Sequence, residues 1–134
     1  MKKVVFTAMF MLIILTLCAC GGKRNDTKTL GLDSNLYTQE EITAAIDVIK
    51  KEFQEEWSGC ILTEICYAGD KVSQEHQDWA DRNGADEVIV LLSSFDVDSS
   101  GGDGSLNPNS TYTNWMWILV RTDKGPWKHV DHGY

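Results

Sequence analysis

Apolar residues recur at helical spacing in the stretch that follows Tyr37. The positions that fall on one side of a helix are Ile42, Ala45, Ile46, Ile49, Phe53 and Trp57. Thr38 and Glu41 form a capping box at the start of this stretch, and Ser58-Gly59 is typical of its end. The pattern predicts an amphipathic helix from about residue 39 to residue 57.

The rest of the chain carries strand patterns. Residues 60–67 are rich in Ile, Thr and Tyr, and residues 87–97 and 114–121 are apolar at consecutive positions, as in strands covered on both faces. Residues 122–125 (Thr-Asp-Lys-Gly) predict a hairpin turn before a last strand at 127–131. Residues 73–83 predict a short polar helix with Trp79 and Ala80 facing inward.

These elements predict one α+β domain over residues 37–134. A long N-terminal helix is expected to pack on a four-stranded antiparallel sheet, in the order α-β-α-β-β-β, because only a sheet face can bury its apolar stripe. This order resembles the cystatin-like and nuclear-transport-factor-like folds. The resemblance implies a curved, cone-like sheet with a pocket at its open end.

The first residues have the pattern of a secretory signal. Lys2 and Lys3 precede an uncharged, mostly apolar run from Val4 to Leu17. Leu17-Cys18-Ala19-Cys20 follows, with a large aliphatic residue three positions before Cys20 and a small one directly before it. This segment resembles the lipobox of bacterial lipoproteins. The resemblance implies that residues 1–19 are cleaved and that Cys20 is the lipid attachment site, carrying a diacylglycerol with fatty acids such as palmitate.

Residues 20–36 are small and polar, so we expect a lipidated cysteine followed by a flexible tether. This predicts a protein on the extracytoplasmic side of the cell membrane, held there by its acyl chains. Cys60 and Cys66 would then lie outside the cytoplasm, where a disulfide is permitted. Both are expected in one strand, too far apart to bridge each other, and we interpret them as small buried residues.

The charge of the chain excludes some partners. The formal charge is −8, and removal of Lys2 and Lys3 with the leader brings it to −10. An acidic surface repels phosphate backbones and anionic lipid headgroups, so nucleic acid is not expected as a partner. The closing segment Gly-x-Trp-Lys-x-Val-Asp-x-Gly-Tyr (residues 125–134) also resembles a group of small Gram-positive lipoproteins to which no activity is assigned.

A glycine-rich stretch between two predicted strands is the first candidate site. Asp96, Asp98, Ser100 and Gly101 match positions 1, 3, 5 and 6 of a calcium loop, with hard oxygen donors on alternate residues, and Asp103 is a further candidate ligand. Asn107 stands where a bidentate Glu belongs, which weakens the match. The segment is equally compatible with a plain connection, or with a recognition loop that binds a partner through Asn107, Asn109, Thr111 and Tyr112.

The last strand and the tryptophans offer two more candidates. Strand alternation places His129 and Asp131 on one face and His132 on the other, so the two histidines are not expected to share a metal ion. His129 with Asp131, or Asp96, would be the base of an enzyme. Trp115, Trp117 and Trp127 are expected to gather on one face, as core or as an open aromatic pocket.

Three functions remain open from the sequence. The first is a non-enzymatic, lipid-anchored module that binds an envelope protein or a small ligand through the 96–112 loop or the open end of the cone. The second is a calcium-dependent module, with Ca²⁺ in the loop. The third is an enzyme with a cone-shaped pocket.

Overall fold

A computed structural model of the chain describes residues 27–30 and 32–134. The predicted signal sequence, Cys20 and the rest of the expected tether up to residue 26 lie outside the described residues. The elements in chain order are β1 (Lys28–Leu30), α1 (Gln39–Glu56), β2 (Cys60–Tyr67), α2 (Asp70–Glu75), α3 (Gln77–Arg82), β3 (Glu87–Val97), β4 (Thr111–Arg121) and β5 (Lys128–Gly133).

Helix α1 begins at the predicted residue and ends one residue before the predicted end. Its capping box is present: Thr38 Oγ1 accepts from the Glu41 N–H, and Glu41 Oε1 accepts from the Thr38 N–H. The residues that α1 buries are Ile42, Ala45, Ile46, Ile49 and Phe53, five of the six predicted positions. The sixth, Trp57, is the half-buried C-cap residue and lies at the site described below.

The domain is α+β as predicted, but the prediction of four antiparallel strands behind an N-terminal helix is wrong. The sheet is mixed and has five strands in the order β1-β2-β3-β4-β5. Strand β1 precedes α1 and pairs in parallel with β2, while the other pairs are antiparallel. A helix that connects two neighbouring strands returns the chain in the same direction, which explains the parallel pair.

Strand β1 also corrects the expected tether. Lys28–Leu30 pairs with Glu64–Cys66, and Thr27 Oγ1 donates to the Leu62 carbonyl at 2.9 Å. Further along, Asp70 accepts from the Ser34 hydroxyl and from the Asn35 N–H. The low apolar content of this segment suggested a tether, yet the open edge of β2 supplies backbone partners that need no side-chain pattern.

The sheet is covered on both faces. On one face, α1 packs against buried residues of β2, β3 and β4, with Phe95, Trp117 and Trp127 among the large side chains. On the other face, Ala80 of α3 packs with Val88, Val90, Ile118 and Val120. This two-sided burial confirms that β3 and β4 are central strands, as their consecutive apolar residues predicted.

The short polar helix predicted at 73–83 is two helices instead. Helix α2 ends at Glu75, and His76 separates it from α3. His76 Nδ1 lies 2.8 Å from the Val72 carbonyl oxygen four residues earlier, and such side-chain bonds compete with the helical backbone pattern. Among residues 27–30 and 32–134, no helix has the length and apolar character needed to cross a bilayer.

Candidate functional site

An open cavity lies where the end of α1 meets the β3–β4 loop and the edge of the sheet. Its volume is about 360 Å³, a size that accommodates a small organic ligand. The residues that give the cavity its chemistry are the apolar and aromatic Trp57, Cys60, Leu106, Trp115 and His132, and the acidic Glu56 and Asp103. We call this cavity the tryptophan pocket.

Two tryptophans and a histidine form the aromatic part of the pocket. The ring centroids of Trp57 and Trp115 lie 6.1 Å apart with the planes nearly perpendicular. The His132 ring lies 5.3 Å from Trp57 and 5.9 Å from Trp115. Behind them, Phe53 stacks on Trp57 at 5.0 Å, so the pocket rests on the main core and its aromatic side chains are held in place.

The expected gathering of Trp115, Trp117 and Trp127 on one face is confirmed. Trp117 and Trp127 are buried in the core under α1, and Trp115 is half-buried at its margin, where it lines the pocket. The indole Nε1 of Trp115 is buried and has no acceptor among the described residues. A buried donor without a partner costs about 1–3 kcal/mol.

The β3–β4 loop is held against the turn that precedes β2. Gly59 has a φ of +76°, and a Cβ there would lie 2.6 Å from Ser100 Oγ and 2.9 Å from Asp98 Oδ1. Asp98 also accepts from the Asn109 N–H through its carbonyl. Close packing of these two backbone segments places Asp103 and Leu106 beside Trp57 and Cys60.

The structure does not bring the proposed calcium ligands together. Asp96 accepts from the Thr111 hydroxyl at 2.7 Å, Asp98 from the Ser100 N–H at 2.8 Å, and Asp103 from the Ser105 N–H at 2.9 Å. In the described part of the chain, no group of three or more His, Cys, Asp or Glu side chains is arranged to hold a metal ion. The carboxylates of Asp98 and Asp103 therefore stabilise local turns, and that of Asp96 joins β3 to β4.

The four residues proposed as a recognition loop divide into two kinds. Asn107, Asn109 and Thr111 are exposed. Tyr112 belongs to the fold, since its ring stacks on Phe95 at 5.2 Å and its hydroxyl accepts from the Asn107 N–H. None of the four lines the tryptophan pocket.

The histidines of β5 are arranged differently from the prediction. The pairing of Leu119 with His129 and of Ile118 with Asp131 leaves Val130 as an extra residue in β5. Such a β-bulge shifts the alternation by one position. His129 and His132 therefore lie on the same face, each with its ring about 5 Å from Trp117, and the expectation of opposite faces is wrong.

The bulge also changes the partner of His129. His129 Nδ1 lies 2.8 Å from Glu52 Oε1 of α1, and its Nε2 lies 3.2 Å from His132 Nδ1. Asp131, the partner expected from the sequence, meets His129 only through its backbone carbonyl, 3.1 Å from Nε2. The result is a hydrogen-bonded chain Glu52–His129–His132 that ends at the pocket.

The electrostatic environment of the pocket is acidic. Burial lowers the pKa of His132, and the neighbouring His129 lowers it further. Burial raises the pKa of the Cys60 thiol, and the carboxylates of Asp98 and Asp103 add to this. Hydrogen bonds from Ser105 lower the pKa of Asp103. At neutral pH the pocket therefore holds a neutral His132, a protonated thiol and ionised carboxylate.

Comparisons with known proteins give no relative from which to transfer a function. A scan against protein-family models and searches of curated proteins and of solved structures find no match to this chain.

Most of the pocket was not among the predicted site residues. Trp57 was assigned to the buried stripe of α1, and Glu56 and Glu52 had no pattern that separated them from other charged residues of the helix. Of the predicted site residues, Trp115 and Asp103 line the pocket, and only the aromatic-pocket interpretation of Trp115 indicated this kind of site. Cys60, Leu106 and His132 meet because β2, the loop and β5 converge, which local spacing does not reveal.

Proposed function

We propose that this protein is a lipid-anchored, extracytoplasmic binding module that holds a small ligand in the tryptophan pocket. The observation that carries the proposal is the pocket itself, in which Trp57, Trp115 and His132 line a cavity beside the carboxylates of Glu56 and Asp103. Aromatic side chains next to charged groups suit a ligand that combines an apolar body with a polar group.

The anchor is supported by the leader and the Cys20 box. The cone-like, cystatin-like arrangement remains part of the proposal and is supported by the position of α1 across one sheet face, with a cavity at its end. The exposed Asn107, Asn109 and Thr111 suit contact with an envelope protein as a further role of the same loop.

A thermal-shift screen tests ligand binding by the pocket. Neutral, cationic and anionic fragments would be added to the full chain in a non-ionic maltoside detergent. A fragment at 100 times its Kd adds about 2.7 kcal/mol to the free energy of unfolding, which raises the Tm by several degrees. We expect hits whose Tm shift disappears in Trp115→Leu and persists in Trp79→Leu, since Trp79 lies on the opposite sheet face. Hits unaffected by Trp115→Leu, or no hits at all, would contradict the proposal.

An enzyme is the second candidate, because the chain Glu52–His129–His132 ends at the pocket and would make His132 a general base. The raised pKa of the Cys60 thiol argues against that thiol as a nucleophile at neutral pH. Turnover of a pocket ligand that is lost in His132→Gln, with binding retained, would favour the enzyme over the binding module.

A further inference from the structure

We infer that the ligand of the tryptophan pocket is a small organic cation with an alkylated ammonium head. This inference rests on the proposed function and specifies its ligand class. Three features of the pocket lead to it: the sign of its charge, the type of its aromatic surface and the apolar part of its wall.

The charge of the pocket favours a cation. Glu56 and Asp103 line it, and no Lys or Arg does so among the described residues. Further carboxylates act on residues that line the pocket. Asp98 raises the pKa of Cys60, and Glu52 and Asp131 oppose the lowering of the pKa of His132. A cavity lined by one sign of charge concentrates ligands of the opposite sign.

The aromatic surface suits the same ligand. Tryptophan binds a cation over its ring more strongly than tyrosine or phenylalanine does. Elsewhere in the described residues this chain already uses such contacts, with Arg82 4.1 Å from the Trp79 ring centre and Arg121 4.2 Å from that of Trp127. Neither arginine lies over Trp57 or Trp115, so within the described part of the chain no cation lies above the two pocket tryptophans.

The wall of the pocket selects an alkylated head. A primary ammonium group has three N–H donors that need acceptors when it is buried. Trp57, Leu106 and Trp115 give the wall an apolar surface that offers such donors nothing. An ammonium group that carries only alkyl groups has no donors to satisfy and packs against this surface.

Three probes of nearly the same shape test the charge directly. Choline, neutral 3,3-dimethyl-1-butanol and anionic 3,3-dimethylbutyrate would be titrated into the full chain in maltoside, which has no ammonium group of its own, with heat or Trp fluorescence as the readout. We expect choline to bind about tenfold more tightly than the neutral alcohol, as a desolvated cation–aromatic contact provides. The carboxylate should be the weakest of the three.

Rim variants separate charge from shape. Glu56→Gln with Asp103→Asn should weaken choline binding about threefold or more at low salt and leave the alcohol unchanged, since only the Coulomb attraction is lost. Glu55→Gln, one residue away on α1 and outside the pocket, is the matched control. N-acetyl-lysinamide binding more tightly than choline would overturn the alkylated head and point to a protein side chain as the ligand.

The outcomes distinguish this inference from the proposed function. If the alcohol binds as tightly as choline, the cation inference is overturned while the pocket remains a ligand site. If no probe binds but other fragments raise the Tm through Trp115, only the ligand class is overturned. If no compound of any charge acts through Trp115, both fail.

Discussion

Trp117 is fully buried under α1, and its indole nitrogen is satisfied by one side chain. Nε1 donates to the Ser93 hydroxyl at 2.7 Å, across the β3–β4 pair. Because the contact is shielded from water, the hydroxyl matters more to stability than its size suggests.

Replacement of Ser93 therefore has a specific expected effect. Ser93→Ala leaves Trp117 Nε1 buried without an acceptor and should lower the free energy of unfolding by about 2 kcal/mol. Ser94→Ala, on the opposite sheet face with only its backbone carbonyl bonded to Thr63, should change it by less than about 0.5 kcal/mol. Denaturant unfolding of both variants measures the difference; equal losses would show that the hydroxyl is not what supports Trp117.

His132 links stability to pH. Its pKa is lowered in the folded protein by burial and by His129, while Glu52 and Asp131 act in the opposite direction. Below the ordinary pKa of 6.5, His132 is protonated in the unfolded chain, whereas in the folded protein it stays neutral to a lower pH. The contribution of His132 to stability is therefore fully present above pH 6.5 and is lost as the pH falls below that value.

We expect the Tm to decrease more between pH 7.5 and pH 5.5 in the wild type than in His132→Gln. An NMR titration of the His132 ring protons gives its pKa directly. A midpoint above 6.5, or an unchanged pH slope in the variant, would contradict the assigned environment.

At the scale of elements, Arg121 joins the end of β4 to two other elements. Its side chain is 4 % exposed and forms ion pairs with Glu41 of α1 and Glu87 of β3. The Thr38 N–H first, and then Arg121, lower the pKa of Glu41 to about 2. The contribution of Glu41 to stability is thus present above pH 4.5 and lost as the pH falls towards 2.

Removal of this buried cation should lower the free energy of unfolding far more than removal of an exposed one. Arg121→Ala leaves two carboxylates close together without their partner and should cost about 3 kcal/mol. Arg82→Ala is the matched control, because its pair with Asp78 is exposed and such pairs contribute less than about 1 kcal/mol. Chemical denaturation at pH 7 measures both, and similar losses would contradict a structural role for Arg121.

For two strands, the local sequence pattern was sufficient to predict where they begin and end. The bounds of β2 and β3 were predicted correctly, since their β-branched and apolar residues are flanked by glycine or polar residues. Strand β1 was not predicted, because three residues at a sheet edge are too few to show an alternation of apolar and polar positions. The bulge at Val130 was missed because alternation assumes an unbroken ladder, and the Glu52–His129–His132 chain depends on that one extra residue.

At the scale of the whole molecule, the position of β1 shortens the expected tether. Lys28 is already paired with β2, so in the proposed lipoprotein only the residues from Cys20 to Lys28 separate the lipid from the sheet. Eight extended residues span at most about 29 Å. The proposed anchor therefore holds the domain close to the bilayer surface.

Anchoring is tested by two neighbouring cysteines. Cys20→Ala should abolish metabolic labelling with a palmitate analogue and release the protein from the membrane fraction, while Cys18→Ala should change neither. Labelling that persists in Cys20→Ala and disappears in Cys18→Ala would move the anchor, and labelling in neither wild type nor variants would overturn it.

The tryptophan pocket is proposed as the place where the protein binds its ligand. The most direct measurement is the ¹⁵N indole spectrum of the full chain with a compound that raises its Tm. We expect the Trp57 and Trp115 signals, assigned with Trp→Phe variants, to shift on binding while that of Trp79 stays in place. A shift confined to Trp79, or binding that leaves Trp57 and Trp115 unmoved, would contradict it.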